Sequence, residues 1–414
     1  MLLVYTHQIT NRVRYTFNLI FKSVLGVDCE ITSDMVRFKQ YEGPKISYTS
    51  SALSNELFFK SDDLLFDKGI RVISDIPQDL FAMTFFLTTR YEEYWPFKGD
   101  KFGRFNSKLS LQHKNNLLQK PLVNIKAQEL KQLIQDKYRD FIFPSKSFSC
   151  IPTIDIDTAY AYKGRSIIRT LGGYLKDLTK LHLSDLNKRT RVLQEKENDP
   201  YDTYEFQFQF QKKYNLNPVY FFLLADKAKY DKNLSFNHKL MQSLIKHISI
   251  RTEIGLHPSF ESNRYADKVF EEKKRLEQVS QIKITKSKQH FLILKFPDTY
   301  RNLIGCGMTD DYTMGYADAI GFRAGICTPY YWYDLEKEEQ TQLCIHPFSV
   351  MDGTLRNYLH LSVQQVIEVI KEIIKEVKNV NGEFSFIWHN ETFSDWNEWK
   401  GWKGVYEEII AMTR

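Results

Sequence analysis

Four residues that can bind metal or transfer protons follow short apolar segments of this 414-residue chain. Asp155 and Asp157 lie at the end of IPTIDID, His257 follows EIGL, and His389 follows FSFIW. Aspartate and imidazole together suit a divalent ion such as zinc. A carboxylate outside that ligand set can accept a proton from water, and a second histidine can protonate a leaving group. The combination predicts metal-assisted hydrolysis of an acyl bond.

The spacing of the two aspartates supports a shared site. Asp155 and Asp157 are two residues apart, so on a regular strand both side chains point to the same face. A single carboxylate at a strand end is more often a turn or helix cap, and a single histidine is more often structural. The prediction therefore depends on several such residues at consecutive strand ends.

The segments that hold these residues repeat a pattern of strand and helix from residue 147 onward. The strand-like segments are SCIPTIDID, PVYFFLLAD, TEIGLHPS, IKITKSKQH, GFRAG and GEFSFIWHN. Strand followed by helix, repeated, is typical of a parallel sheet or a β/α barrel. Such barrels place their sites at the carboxyl ends of the strands, where the four residues fall.

Other parts of the chain predict helices and a second domain. The segment LSVQQVIEVIKEIIKEVKNVNG has helical apolar periodicity, with a Ser362 cap and Gly382 beyond its end. A charge-rich stretch between Arg165 and Leu216 predicts an inserted helical hairpin. The first 150 residues alternate strand and helix signals, which indicates a small α/β unit.

Composition predicts a folded protein of ordinary surface charge. Hydrophobic residues make up 43% and charged residues 26% of the chain, which excludes a disordered chain or a fibre. The net charge of +6 is a mild excess, and we expect no nucleic-acid partner. The five cysteines form no CxxC pair, so free thiols are expected rather than a disulfide framework.

Targeting signals are not evident in the sequence. The segment MLLVYTHQITNRVRYTFNLIF is interrupted by polar and charged residues, unlike the apolar core of a secretion signal. No later segment reaches the roughly 18 apolar residues of a membrane span. The sequence therefore predicts a soluble protein of the cytoplasm.

Longer stretches resemble the NodB-type polysaccharide deacetylases of carbohydrate esterase family four, and more closely a bacterial branch with an extra N-terminal domain. The similar stretches are FAMTFFLTTRYEEYWP and GRF, then TIDIDTAY, DPYDTYE, EIGLHPS, KQHFLILKFPDTYRNL, DYTMGYADAIGFRAGICTPYYWYDL, PFSVMDGTL and FIWHN. The resemblance implies an α/β fold with a deacetylase-type (β/α) barrel, complete or incomplete, over residues 148–414. A small α/β domain over residues 1–147 would precede it.

The resemblance implies roles for three of the strand-end residues. The family has a Thr-Phe-Asp-Asp-Gly motif whose first aspartate is the general base and whose second binds metal. TIDID carries an extra residue, so Asp155 would be the base and Asp157 the ligand, although the two could exchange roles. The family's final motif is a strand that ends in the general-acid histidine, and His389 matches it.

One metal ligand departs from the family pattern. The family has two metal-binding histidines four residues apart, but here His257 is followed by Glu261 at the partner position. Either Glu261 or a residue elsewhere would then supply the third ligand. His290, at the end of KSKQH, falls where the family's third motif sits and is the preferred substitute. The resemblance thus implies a divalent ion, zinc by preference, held by Asp157, His257 and His290.

The family also has an arginine that orients the base. Lys288 is the candidate by strand order, and Arg323 in GFRAG is the candidate by local sequence. We favour Arg323, because a guanidinium can hold a carboxylate through two hydrogen bonds whereas lysine offers a point charge.

These features together predict a hydrolase that removes an acetyl or related acyl group from an amino sugar of a polysaccharide or its precursor. Glu261 in place of a histidine and the altered Asp-Asp-Gly motif leave an alternative open. In that alternative, the chain is a glycan-binding or scaffold protein with a deacetylase-like barrel and impaired metal chemistry.

Overall fold

The computed structural model describes residues 1–53 and 55–414, and the chain divides into two compact units. The first unit contains Met1–Cys150, Leu292–His360 and Val369–Ser385. The second contains Ile151–Phe291, Leu361–Glu368 and Phe386–Arg414. All of residues 1–147 fall in the first unit, together with two later segments. The domain boundary after residue 147 stays a prediction.

Strands and helices alternate along much of the described chain. In chain order, the strands are β1 (Leu2–Thr6), β2 (Cys29–Thr32), β3 (Lys45–Thr49), β4 (Leu57–Lys60), β5 (Ser149–Ile156), β6 (Val219–Phe222), β7 (Glu253–Leu256), β8 (Lys286–Ser287), β9 (Asp310–Asp311), β10 (Tyr330–Asp334), β11 (Glu339–Ile345), β12 (Val350–Met351) and β13 (Glu383–His389). The α-helices are α1 (Asn11–Asn18), α2 (Met35–Gln40), α3 (Leu80–Thr88), α4 (Leu111–Lys114), α5 (Leu122–Lys137), α6 (Ile167–Thr179), α7 (Leu183–Leu193), α8 (Tyr204–Tyr214), α9 (Lys239–Ser249), α10 (Asp267–Ser280), α11 (Asp298–Gly305), α12 (Val363–Asn379) and α13 (Trp402–Met412).

The first unit contains a parallel sheet with the strand order β2-β1-β3-β4. Every residue of the interior strand β1 is buried, as expected for a strand covered on both faces. The same unit contains a second group with the order β10-β11-β9, in which β10 and β11 are antiparallel and β11 and β9 are parallel.

The strands of the second unit have the order β8-β7-β6-β5-β13, and β5 to β8 pair in parallel. Strand β6, with the sequence VYFF, is buried throughout. Gly255 on β7 lies opposite Phe221 on β6, and a Cβ at this position would lie 2.5 Å from the phenylalanine ring. Parallel strands separated by helices confirm the predicted α/β class. Closure into a barrel stays a prediction.

Helix α12 confirms the helix expected from apolar periodicity. The hydroxyl of Ser362 accepts from the N–H of Gln365 at 3.4 Å, and the Gln365 side chain accepts from the Ser362 N–H at 2.9 Å. This reciprocal pair caps the start of the helix. Among the helices of the described chain, none has the length and apolar character needed to cross a membrane.

Candidate metal centre

The residues of the candidate site lie on, or within three residues of the end of, four strands of the second unit. Asp155 lies on β5 and Asp157 follows it, His257 follows β7, His290 follows β8, and His389 is the last residue of β13. In parallel α/β sheets, functional side chains gather at the carboxyl ends of the strands. The chain places these five side chains accordingly.

Main-chain hydrogen bonds continue beyond the strands and fix the residues that follow them. The N–H of His257 donates to the carbonyl of Phe222 at 2.9 Å. The N–H of Lys288 donates to Leu256 at 3.0 Å, and that of His290 donates to the carbonyl of Pro258 at 3.0 Å. The strand ends are therefore held in register up to the site itself.

Asp157, His257 and His290 form a compact group of potential metal ligands. Each offers one ligand atom, and these atoms all lie within 4.8 Å of one another. Nε2 of His257 is 3.2 Å from Oδ1 of Asp157, and Nε2 of His290 is 3.3 Å from Oδ2. Both imidazoles are buried. The group is thus a carboxylate flanked by two rings.

The other nitrogen of each ring is occupied. Nδ1 of His257 donates to the carbonyl of Lys288 at 2.5 Å. Nδ1 of His290 donates to Oδ1 of Asp231 at 2.9 Å. A hydrogen bond at Nδ1 fixes the ring orientation and leaves Nε2 to face the metal, as is usual for ligating histidines. Both Nε2 atoms here face Asp157.

Opposite charges control the ionisation of Asp157 and His290. Burial alone would raise the pKa of the Asp157 carboxyl, but the charge of His290 and the neighbouring His257 outweigh burial and hold it well below its usual range. Burial would lower the pKa of His290, but Asp157 and Asp231 outweigh it and raise the pKa to about 9. At neutral pH and without a bound cation, Asp157 is therefore a carboxylate and His290 an imidazolium.

The donor set fits a divalent ion such as zinc. Two imidazole nitrogens and one carboxylate are a common zinc ligand set, and a fourth position remains for water or substrate. Oδ1 of Asp157 is buried and, among the described residues, accepts no hydrogen bond. A buried acceptor without a donor is costly, and a cation would remove that cost.

A buried lysine holds Asp155. Nζ of Lys288 donates to Oδ1 of Asp155 at 2.8 Å and to the hydroxyl of Thr153 at 2.6 Å, and the Lys288 side chain is fully buried. The Thr153 hydroxyl in turn donates to the carbonyl of Phe386 at 3.0 Å. The second oxygen of Asp155 lies 3.9 Å from Nε2 of His257. Asp155 is therefore oriented from one side and borders the ligand group on the other.

His389 lies at the same site. Its Nε2 is 3.8 Å from Oδ2 of Asp157, and the side chain keeps 18% of its exposure. It therefore has partial access to solvent beside the ligand group.

The structure gives Arg323 a carboxylate partner other than the one expected from sequence. Its guanidinium donates to both oxygens of Glu93, at 2.9 and 2.5 Å, and to the carbonyl of Gly315 at 3.1 Å. The bidentate geometry is the one expected of arginine, but it serves a buried ion pair within the first unit. Lys288, the candidate by strand order, is the cation that contacts Asp155. The expectation that Arg323 contacts Asp155 is therefore wrong, because the guanidinium is occupied by Glu93.

Glu261, the alternative third ligand, begins a short 3₁₀ helix, Glu261–Asn263. Its main-chain N–H lies 3.4 Å from Oδ2 of Asp231. Within the described residues, it does not belong to the group of ligand atoms around Asp157. The geometry therefore favours His290 over Glu261.

Asp231 was missed by the sequence reasoning. It lies in the loop after β6, five residues beyond Asp226, where no strand-end pattern marks it. The side chain is fully buried and accepts from His290 and, at 2.9 Å, from the N–H of Phe260. A buried carboxylate behind a histidine is the usual partner that orients a metal ligand.

Replacing this carboxylate tests its role. We expect Asp231→Asn to weaken zinc affinity by roughly 10- to 100-fold, because the ring of His290 loses its charged partner. Asp226→Asn, an exposed change in the same loop, should leave the affinity unchanged. Competitive zinc titration measures the affinity of each variant. If the two affinities are equal, Asp231 does not support His290 as a metal ligand.

A second buried carboxylate lies behind the site. Oε2 of Glu272 on α10 accepts from the N–H of Ser259 at 2.9 Å. Burial raises the pKa of Glu272 to about 7, so the folded protein keeps this proton at pH values where the unfolded chain has lost it. The contribution of Glu272 to stability therefore falls as pH rises from about 4.5 to about 7.

Glu272→Gln should remove this pH dependence. We expect the variant to gain stability relative to the wild type as pH rises through this window, by on the order of 2–3 kcal/mol. Denaturant unfolding of both proteins at pH 4.5 and pH 8 measures the difference. If the difference in unfolding free energy between the variant and the wild type is the same at both pH values, Glu272 is not protonated in the way proposed.

Comparisons with known proteins cover different parts of the chain. A model of a family of unknown function, DUF7033, matches residues 2–139. A structure described as a polysaccharide deacetylase from Mycobacterium smegmatis is similar with 14% identity and a TM-score of 0.42, over 66% of this chain and 85% of that one. The polysaccharide deacetylase from Bacillus cereus is similar with 10% identity and a TM-score of 0.30, over 64% and 86% of the two chains. A search of curated proteins found no match.

Proposed function

We propose that the protein is a metal-dependent hydrolase that removes an acetyl or related acyl group from an amino sugar of a polysaccharide or its precursor. The observation that supports this most is the group of Asp157, His257 and His290 beside the lysine-held carboxylate of Asp155. The resemblance of TIDID, EIGLHPS and FIWHN to deacetylase motifs supports it as well.

Asp157, His257 and His290 would hold the metal. When bound, a divalent ion there would supply Lewis-acid chemistry, which activates water and stabilises negative charge on the carbonyl oxygen. Two imidazoles and one carboxylate are a known ligand set of catalytic zinc, so zinc is the ion that we propose. Asp231 would keep His290 oriented through its Nδ1 hydrogen bond.

Asp155 would act as the general base. Its Oδ1 accepts from Lys288 and Oδ2 carries no such constraint from the lysine, so Oδ2 would accept a proton from the attacking water. Lys288 is a positioning residue, because it fixes the carboxylate without reaching the reacting atoms.

His389 would act as the general acid. The water oxygen would bond to the acyl carbon while Asp155 takes one of its protons, the carbon–nitrogen bond would break, and the amine nitrogen would take a proton from the protonated ring of His389. The products are a carboxylic acid and an amino sugar with a free amine. The partial exposure of His389 suits a group that exchanges its proton with solvent between turnovers.

Release of acetate from N-acetylated amino-sugar oligomers tests the proposed activity. We expect zinc-loaded protein to release acetate, and protein stripped with a chelator to lose the activity and regain it when zinc is added. If zinc-loaded protein binds these oligomers without releasing any acid, the glycan-binding alternative becomes the better account.

A further inference from the structure

A cavity of about 810 Å³ in the second unit adjoins the candidate metal centre along the chain. It is lined by residues from the segments 158–176 and 225–238. Thr158 directly follows Asp157, and Lys232 directly follows Asp231, so each wall contains a residue that is bonded to a residue of the metal centre. A ligand in this cavity would therefore lie close to the proposed reacting group.

The cavity wall is strongly cationic. The cations that line it are Lys163, Arg165, Arg169, Lys176, Lys227 and Lys232. The lining also includes one carboxylate, Asp226, which forms ion pairs with Lys268 at 3.3 Å and Arg275 at 2.8 Å. Within the described residues, none of the six cations has a carboxylate oxygen within 4.0 Å. Such a concentration of unpaired positive charge favours an anionic ligand.

Two helices also begin at this cavity. Ser166 is the N-cap of α6 and His238 is the N-cap of α9, and both residues line the wall. Helix N-termini present free N–H groups and a positive partial charge to anions. Partial removal from water and the nearby charge of Arg189 lower the pKa of Arg165, so an anion beside it would relieve this crowding.

We propose that this cavity binds a phosphate or diphosphate group that is linked to the sugar on which the metal centre acts. Arginine and lysine side chains that lack carboxylate partners, together with helix N-termini, form the usual recognition set for phosphoryl oxygens. The inference rests on the proposed function and narrows its substrate to a phosphate-linked acylated amino sugar. The phosphoryl group would come from a nucleotide or from a lipid carrier.

Calorimetric titration of metal-free protein with inorganic pyrophosphate tests the cavity alone. We expect saturable binding that Arg169→Gln/Lys176→Gln weakens at least tenfold. Lys212→Gln/Lys213→Gln, an equal loss of charge on α8 away from the cavity, should bind like the wild type. His257→Ala should bind pyrophosphate normally, which separates this test from failure of the metal centre.

Other titrants identify the source of the phosphoryl group. A nucleoside diphosphate that binds more tightly than pyrophosphate would support the proposal with a nucleotide-linked sugar as substrate. Equal affinities for the nucleoside diphosphate and for pyrophosphate would support the proposal with a sugar linked to a lipid carrier as substrate. Absence of saturable pyrophosphate binding, equal weakening in the α8 control, or tighter binding of a polyuronate would overturn it.

A second observation concerns the outer face of α6. Ile167, Ile168, Leu171, Leu175 and Leu178 lie within about 100° of the helix circumference, and their exposure ranges from 53% to 84%. Leu181, between α6 and α7, and Leu183, the first residue of α7, are exposed as well. We call these seven residues the apolar stripe. Exposed apolar patches of this kind mark interaction surfaces.

Contacts with α7 fix the direction of the apolar stripe. Asp177 on α6 accepts two hydrogen bonds from Arg189 on α7, at 3.0 and 2.8 Å. The hydroxyl of Tyr174 lies 3.0 Å from that of Thr190. Because Arg169 and Lys176 line the cavity, the helix presents its cations to one side and its apolar stripe to solvent on another.

We propose that the apolar stripe docks on a bilayer surface that contains anionic lipids. Between residues 163 and 183, the cations are Lys163, Arg165, Arg169, Lys176 and Lys180, and the one acidic residue, Asp177, is paired with Arg189. An amphipathic helix with an apolar face and flanking Lys and Arg residues suits the boundary between anionic headgroups and acyl chains. The positive charge beside the apolar stripe is complementary to anionic headgroups and disfavours a neutral partner.

Co-sedimentation with vesicles tests the docking. We expect binding to vesicles of phosphatidylcholine with phosphatidylglycerol, weakened at least tenfold with phosphatidylcholine alone and lost in Leu171→Glu/Leu175→Glu. Ile250→Glu, which replaces a residue that is 79% exposed elsewhere in the unit, should bind like the wild type. No binding to anionic vesicles, or a dimer in ultracentrifugation that Leu171→Glu/Leu175→Glu dissociates, would overturn the proposal.

Discussion

His290→Ala is expected to weaken zinc binding by more than about 100-fold, beyond the loss typical of an outer-shell residue. Removal of this ring leaves Asp157 and His257, which are too few ligands for firm binding of zinc. Glu261→Ala should leave the affinity unchanged, because Glu261 lies outside the group of ligand atoms. Calorimetric zinc titration of the two variants and the wild type measures the contrast.

The two variants are matched tests of one question, namely whether His290 or Glu261 is the third metal ligand. Thermal unfolding of metal-free His290→Ala should show that the chain still folds. If Glu261→Ala loses zinc and His290→Ala retains it, the third ligand is Glu261. The site would then rearrange on metal binding.

Asp155→Asn is expected to bind zinc like the wild type but to lower kcat by about 10²- to 10⁴-fold, the usual contribution of a general base. The asparagine oxygen can still accept from Nζ of Lys288, so the neighbouring geometry should persist. Only the ability to take a proton is lost. Steady-state acetate release and zinc titration on the same preparation separate the two effects.

Asp267→Asn, at the first turn of α10, is the matched control and should keep full activity. A variant Asp155→Asn that loses zinc as well as activity would assign Asp155 to the metal shell. In that case Asp155 and Asp157 exchange roles, the alternative that the altered TIDID motif leaves open.

Strand-end positions were predictable from the sequence because each follows an apolar strand. Asp155, Asp157, His257 and His389 all come directly after or at the end of such a segment, and parallel pairing then brings the ends together. His290 is less obvious, since β8 contains two residues. The hydrogen bond of its N–H to Pro258 extends the register and carries His290 to the site.

The orienting cation could not be predicted from side-chain chemistry alone. Arginine is the better carboxylate ligand, but the sequence does not show that Glu93 already pairs with Arg323. Lys288, the candidate by strand order, is the cation that contacts Asp155, because it directly follows β8, the strand beside β7. The role of Asp231 could not be predicted from the sequence, because it lies in a loop without a motif. Its contact with the ring of His290 is seen only in the folded structure.

The stretch between Arg165 and Leu216 was predicted as an inserted helical hairpin, and the structure has three helices there, α6, α7 and α8, of which α6 and α7 contact each other. Apolar periodicity alone would assign the face of α6 with Leu171 and Leu175 to the core. The structure exposes it instead, because Asp177 and Tyr174 provide the contacts with α7. Periodicity locates an apolar face but does not say what covers it.

Zinc titration of the wild-type protein is the most direct test of the metal centre. Protein stripped of metal should take up one zinc ion per chain at the group of Asp157, His257 and His290, with loss of that uptake in His257→Ala. If wild-type protein takes up no divalent metal even at high metal concentration, the proposal of a metal-dependent hydrolase is contradicted. Uptake that survives His257→Ala unchanged would contradict the assigned site.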